Sequence, residues 1–227
     1  LLSQKITTMN TYIDKQRPKK NFIQNKLVNT ITGLNCDILT LFGYSPLNVI
    51  DLFKKVSCEN KIISYEIDNN RFINQCKQLN NSSDNFIVYN GDIFNTNHIT
   101  KCIDLDLMCY PHTVQKQVIE LFNKQQTLFS KQRKVFWLTL TIRGHKKENR
   151  NKFIEGLLEK ILKSKVHIKT VQDMFFLHEG KQLTYKNYRI TVADTDYIVE
   201  VNTYADRNQY NKGGGVPMLN IFIESYK

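Results

Sequence analysis

Carboxylates close three short apolar runs in succession: IISYEID (Ile62–Asp68), FIVYNGDIF (Phe86–Phe94) and CIDLDLMCYP (Cys102–Pro111). From Glu66 to Asp92, and on to Asp104 and Asp106, the acids fall roughly twenty-five and then twelve to fourteen positions apart, a spacing that suits alternating strands and helices. Ligands of open parallel sheets bind outside the carboxyl ends of the strands. Three strands that each deliver an acid to that edge therefore predict one ligand site. A carboxylate at Glu66 can accept both hydroxyls of a ribose, and a hydrogen bond to a charged acceptor is worth about 1.5–3 kcal/mol. Asp68 or Asn69 equally suits the N-cap of the next helix, and the two roles are compatible. Asp92 follows the turn glycine Gly91. It can accept from an exocyclic amine while Ile93 packs on an aromatic ring face; a solvated turn aspartate is the plainer alternative.

Asp104 and Asp106 are two positions apart and share one face of a strand. Burying a bare carboxylate is costly, so at least one of them must be paired or lie at the sheet edge. Tyr110-Pro111-His112 then sits where a substrate meets a cofactor. Tyr110 can stack on a flat base and His112 can relay a proton, although a histidine after proline is also an ordinary turn residue. Backbone approach to a nucleotide after the first strand falls to Phe42-Gly43-Tyr44-Ser45-Pro46, where Gly43 stands alone. Past the run VFWLTLTI come Arg143, Lys146, Lys147, Arg150 and Lys152. Cations at a helix N-terminus oppose the macrodipole, so phosphate contacts explain them better than local stability does. A solvated loop is the alternative.

The elements that must position these residues follow from periodicity. Residues 1–32 form a basic arm, with Lys19 and Lys20 as further phosphate contacts, Pro18 interrupting any helix, and a lead-in helix over Asn21–Thr32. Cys36–Gly43 is a continuous apolar run, as in a strand buried on both faces. Pro46 suits a helix start, and Val49, Leu52, Phe53 and Val56 give the next helix its stripe. Strand two spans Lys61–Ile67, with helix Asn70–Leu79 burying Phe72, Ile73, Cys76 and Leu79. Strand three is Asn85–Asn90, before a short irregular helix around Asn97–Lys101. Strand four is Cys102–Cys109, helix Thr113–Phe129 follows, then strand five at Val135–Ile142 and helix Glu148–Lys163. His167–Phe176, Arg189–Val192, Tyr197–Asn202 and Met218–Glu224 are β-like. The expectation is an α/β fold: a Rossmann-like, mainly parallel sheet flanked by helices, with an antiparallel C-terminal edge, occupying residues 33–227 as one domain.

Composition bounds the partners. With 32 Lys+Arg against 21 Asp+Glu, the 227-residue chain carries a net charge of +11, which favours polyanions, nucleic acid first and anionic membrane second. An A/T-rich coding sequence is the plainer source of the lysine excess. The five cysteines form no CxxC pair; Cys36, Cys102 and Cys109 read as small buried hydrophobes, which suits an intracellular, reducing compartment. The histidines are too scattered for a metal site. No apolar run is long enough to span a bilayer. The sequence opens on Leu1, as a processed or trimmed chain would, and its start does not resemble a signal peptide.

From Asn35 to Lys227 the pattern resembles the class I (Rossmann-like) S-adenosylmethionine-dependent methyltransferases. The resemblance implies that Glu66 binds the cofactor ribose, that Asp92 in NGDIF contacts the adenine amine, and that Asp106–Pro111 forms the acceptor motif after strand four. It also implies S-adenosylmethionine as cofactor and a closing β-hairpin edge at MLNIFIES. Two departures stand out. The family's first motif reads D/E-x-G-x-G, whereas LTLFGYSPLN keeps only Gly43. DLDLMCYP is not the [D/N/S]-P-P-[Y/F/W] tetrad of the adenine amino-methyltransferases, although Asp106 and Tyr110-Pro111 supply similar residue types. The implied function is methyl transfer to nucleic acid, DNA or RNA, with Asp106, Tyr110 and His112 shaping the acceptor site. The alternative is an inactive methyltransferase-fold subunit that binds nucleic acid or scaffolds a larger complex. A nicotinamide-dependent oxidoreductase fits less well, because GxGxxG is absent from the first turn.

Overall fold

The computed structural model of the protein describes residues 17–43, 46–53, 60–79, 85–107, 109, 111–128, 132–143, 149–206 and 215–226. In chain order these form α1 (Pro18–Ile31), β1 (Ile38–Thr40), α2 (Pro46–Phe53), β2 (Ile62–Glu66), α3 (Asn69–Leu79), β3 (Phe86–Asn90) and a single 3-10 turn (Ile93–Asn95). There follow β4 (Cys102–Asp106), α4 (Pro111–Leu128), β5 (Lys134–Thr141), α5 (Arg150–Leu162), β6 (Val166–His178), β7 (Lys181–Val192), β8 (Tyr197–Asp206) and β9 (Val216–Ser225). The strands build one sheet in the order β3-β2-β1-β4-β5-β9-β8-β7-β6. β1 to β5 are mutually parallel; β9 pairs antiparallel with β5, and β8, β7 and β6 continue antiparallel from it. The chain leaves β1 toward β2 and β3 on one side and returns to β4 on the other. The sheet thus has its topological switch between β1 and β4, where ligands of such sheets sit.

Alternation along each strand divides the core in two. Leu39, Ile63, Ile103, Leu105, Phe136 and Leu138 point to the layer of α4 and α5, and meet Val118, Phe122, Ile154 and Leu158 there. Ile38, Ile62, Cys102, Val135, Trp137 and Phe222 point to the opposite layer, under α1 and α2. β5 is buried at every position, Lys134, Thr139 and Thr141 included, as in a strand covered on both faces.

Several sequence expectations change. Pro18 does not interrupt the first helix but opens it, at the position where a missing N–H costs nothing. α1 is also part of the core: Ile23, Leu27, Val28 and Ile31 are buried, and Phe22 stacks on Phe176 of β6 with ring centroids 4.0 Å apart. β1 keeps only three ladder residues of the Cys36–Gly43 run, because Asp37 turns its carboxylate onto the Lys61 N–H (2.9 Å) and the Phe42 N–H goes to the Ser64 hydroxyl (3.0 Å). Of the three cysteines expected to be buried, Cys36 and Cys109 are half-buried and Cys102 is fully buried. On α3 the inward residues are Gln75 and Leu79, whereas Ile73 is exposed. No helix forms at Asn97–Lys101. Threonine side chains hold that segment instead: the His98 N–H donates to Thr96 Oγ1 (2.9 Å), and Thr100 Oγ1 donates to the Cys102 carbonyl (2.6 Å).

The antiparallel part is larger than an edge. β6 and β7 form a hairpin closed by Glu179-Gly180, both with positive φ (48° and 72°), a two-residue turn whose twist matches the strands. The expected Arg189–Val192 segment is the end of β7. No described helix is long and apolar enough to cross a membrane.

Because α1 is core rather than appendage, Leu27→Ala should destabilise the protein by about 2–5 kcal/mol, the range for a large-to-small change at a filled core site. Equilibrium urea unfolding measures it; a change below about 0.5 kcal/mol would mean that the helix is peripheral.

Candidate active site

β1, β2 and β3 run parallel, so their carboxyl ends share an edge. Three residues beyond β1, Gly43 has φ +61°, the left-handed region where a side chain brings strain, and the space where its Cβ would stand holds no atom within 4 Å. Gln75, buried on α3, donates from Nε2 to the Gly43 carbonyl (2.6 Å) and reaches Glu66 Oε2 (3.4 Å). It ties the turn after β1 to the acid ending β2. Glu66 Oε1 accepts the Asp68 N–H (2.9 Å), and Asp68 Oδ1 accepts the Arg71 N–H (2.9 Å), capping α3. Asp68 thus takes the N-cap position of α3, and Glu66 stands at the carboxyl end of β2. Sequence reading missed Gln75. Its one signal is a polar residue four positions before Leu79, on the inward face of an otherwise polar helix.

At the end of β3, Asp92 Oδ1 accepts the Phe94 N–H (3.0 Å) and its carbonyl accepts the Asn95 N–H (3.0 Å), so Asp92 caps the 3-10 turn. The Gly91 N–H bonds the Glu66 carbonyl (3.0 Å), which locks the two strand ends together. Ile93 is only 4% exposed and packs among Leu39, Ile63 and Ile103. In this conformation it supports the edge from below and offers no open face.

The second half of the site surrounds the end of β4. Asp104 and Asp106 do share a face, toward α1 and α2. Asp104 is 3% exposed; Thr40 Oγ1 donates to its Oδ2 (2.9 Å), and its Oδ1 has no partner among the described residues. Burial, and then the neighbouring Asp106 charge, push the Asp104 carboxyl up to about 7, against the pull of Thr40 and Lys20. Asp106 is ion-paired through Oδ2 with Lys20 Nζ, and its Oδ1 is buried without a partner among the described residues.

Lys20 comes from the first turn of α1, which the end of β8 holds in place. Asp206 accepts the backbone N–H groups of Lys20 (2.9 Å) and Lys19 (3.1 Å), while Lys19 Nζ donates to the Ala205 carbonyl (3.1 Å). Lys19 and Lys20, expected on an outward arm, are thus engaged at the ends of β8 and β4. Tyr204 lies buried beside them; desolvation and the Asp106 and Asp206 charges raise its hydroxyl well above the ordinary value.

His112 is exposed in the first turn of α4, and Arg143 is exposed just past β5. Arg150 begins α5, half-buried, with its Nε unpartnered among the described residues. Tyr110, Lys146 and Lys147 lie outside the described residues. The structure thus gathers Gly43, Glu66 and Gln75 into one cluster, and Lys20, Thr40, Asp104 and Asp106 into another at the next strand ends.

Five parallel strands that switch between β1 and β4, with an antiparallel strand beside β5, make a Rossmann-like methyltransferase fold. TYW2 from M. jannaschii, solved in complex with AdoMet, superposes with a TM-score of 0.50 at 13% identity, over 91% of this chain and 76% of that one. A methyltransferase from Pyrococcus furiosus gives 0.48 at 14% identity, over 91% and 82% of the two chains. TrmN from Thermus thermophilus gives 0.49 at 9% identity, over 89% and 47%. No protein-family model and no curated protein sequence matches the chain.

Asp104 titrates higher folded than its ordinary 3.8. A raised acid pKa disfavours the folded state once the group is charged, so this contribution to stability falls between about pH 4 and pH 7 and is level above that. Asp104→Asn keeps an acceptor for Thr40 and removes the titration. The variant should gain melting temperature over the parent at pH 8 and lose that gain near pH 4; a gain independent of pH would refute the assignment.

Proposed function

We propose that the chain binds S-adenosylmethionine at the carboxyl edge of β1–β3 and methylates nucleic acid at the adjoining end of β4. The observation that carries this reading is the convergence of Gly43 and Glu66, from separate strands, onto one edge where Gln75 joins them. The residues fit the group. A left-handed glycine keeps the turn after β1 open, and a carboxylate one strand away suits a vicinal diol. Bound there, the cofactor would supply a methyl group on an electrophilic sulfonium. Glu66 would hold the ribose hydroxyls, and Asp92, fixed by its cap, would meet the adenine amine. Methyl transfer depends mainly on aligning nucleophile and sulfonium, which asks for rigid positioning more than for acid–base groups. Asp106, at the end of β4, would accept a hydrogen bond from an acceptor amine. His112 would relay the departing proton, and Tyr110 would stack on the base. Arg143, Lys146, Lys147 and Arg150 would hold phosphates, with the net charge of +11 drawing the polyanion in.

A second reading, a methyltransferase-fold subunit that binds nucleic acid without catalysis, is favoured by the Lys20–Asp106 pair, which neutralises the acid expected to face the acceptor.

Calorimetry separates the two. S-adenosylmethionine and its demethylated product should both bind, and Glu66→Ala should weaken them about ten- to hundredfold, the equivalent of one charge-assisted hydrogen bond. Absence of binding by either ligand would sink the enzyme reading, and nucleic-acid affinity unchanged in Glu66→Ala would then support the second.

Affinity for single-stranded RNA and DNA of one sequence should fall log-linearly with salt. Arg143→Ala and Arg150→Ala should each lower that slope by about 0.7. Unchanged slopes in both variants would remove these arginines from the interface.

A further inference from the structure

β6 ends the sheet, and no described strand pairs with its outer side. It is thirteen residues long, and its burial thins out along its length. Natural edge strands are blunted by lysine, proline, bulges or shortness. The register of β6 shifts between Ile168 and Thr170, beside Lys169, so the first end is blunted. The stretch Val171–Leu177 (VQDMFFL) contains no proline and no cation. It carries the exposed apolar residues Val171 (37%), Met174 (39%), Phe175 (66%) and Leu177 (75%). Nothing in the site described above uses them.

The hairpin fixes which backbone groups this edge offers. His178 and Lys181 flank the two-residue turn and form its first pair. From there, alternate residues of β6 bond to β7, which leaves the N–H and C=O groups of Leu177, Phe175, Asp173 and Val171 directed outward. An antiparallel partner must match that odd-numbered set.

We infer that β6 pairs with β6 of a second copy, antiparallel about a two-fold axis through Met174, to give a dimer with a continuous eighteen-stranded sheet (twice the nine of one copy). The strand is self-complementary in this register. Val171 faces Leu177 of the second copy and Leu177 faces its Val171, so two apolar pairs form on one face. Asp173 faces Phe175, and Met174 faces Met174. Sliding to centre the pairing on Asp173 would set Leu177 against Lys169 and bring the two Asp173–Lys186 ion pairs face to face. Centring on Met174 overlaps all of Val171–Leu177 and avoids both. Closed two-fold pairing also leaves no further edge at β6, so it stops at a dimer.

Two copies of net charge +11 repel each other, so added salt should strengthen this contact while weakening any contact with nucleic acid. Sedimentation of the full chain across concentration and salt should give twice its 26.7 kDa mass, more completely at 0.5 M than at 0.1 M salt. Val171→Lys/Leu177→Lys alters only exposed positions and should give a monomer with unchanged circular dichroism. Met174→Cys should cross-link to itself under mild oxidation beyond the parent's background, whereas Gln172→Cys should not, since only Met174 meets its own copy in this register. A parent chain that stays monomeric at every salt concentration overturns the inference, as does a dimer that persists in the double-lysine variant. Loss of RNA binding in that variant, with a monomeric parent, would assign the strip to nucleic acid instead.

Discussion

The arrangement hangs on three residues. Ile38, Leu39 and Thr40 are all of β1, and they pair in parallel with β2 on one side and β4 on the other. So short a strand cannot hold its place through its own ladder; its neighbours hold it. Asp37 anchors one end to the Lys61 N–H, and the Ser64 hydroxyl takes the Phe42 N–H at the other. Thr40 then gives its hydroxyl to Asp104. A buried carboxylate with one such donor is far cheaper than a bare one, and that single bond lets two acids stand side by side at the end of β4. Both halves of the proposed site are therefore set by where β1 stops.

The two halves differ in how they are stabilised. Around Glu66 the polar groups satisfy one another locally: Gln75, the Gly43 carbonyl and the Asp68 amide form a short network near the surface. Around Asp106 the balance is long-range. Lys20 precedes Asp106 by 86 positions and Asp206 lies 186 positions beyond Lys20, yet α1 brings the three together. Removing one partner of such a set leaves a charge in low dielectric, which costs more than the pair contributes. The N-terminal helix is thus bound to the acids electrostatically as well as through its apolar face.

The order of elements was legible because hydrophobic period and turn residues are local signals. The parallel core, its helices and the position of Glu66 at the end of β2 all follow from them. Boundaries and rotations were less legible. Gln75 faces inward where the apolar stripe predicted Cys76 and Ile73, because the Gly43 carbonyl offers it a partner that no periodicity can register. In sequence the long β6–β7 hairpin shows as two fragments, since Glu179-Gly180 is not among the common hairpin dipeptides and the strands alternate only weakly.

By itself, then, the sequence determined the class of fold and the edge at which its acids appear, since both depend on residues near one another in the chain. Tertiary structure decided what those acids face. Lys20 belongs to the part of the chain predicted to be a free basic arm, and the packing of Ile23, Leu27, Val28 and Ile31 against the sheet, with Asp206 holding the first turn, delivers its amine to Asp106. Burial, not residue type, separates the two aspartates of β4: Asp104 is desolvated and titrates near neutrality, whereas Asp106 is ion-paired. Solvation and long-range pairing belong to the assembled sheet, and a linear pattern does not record them.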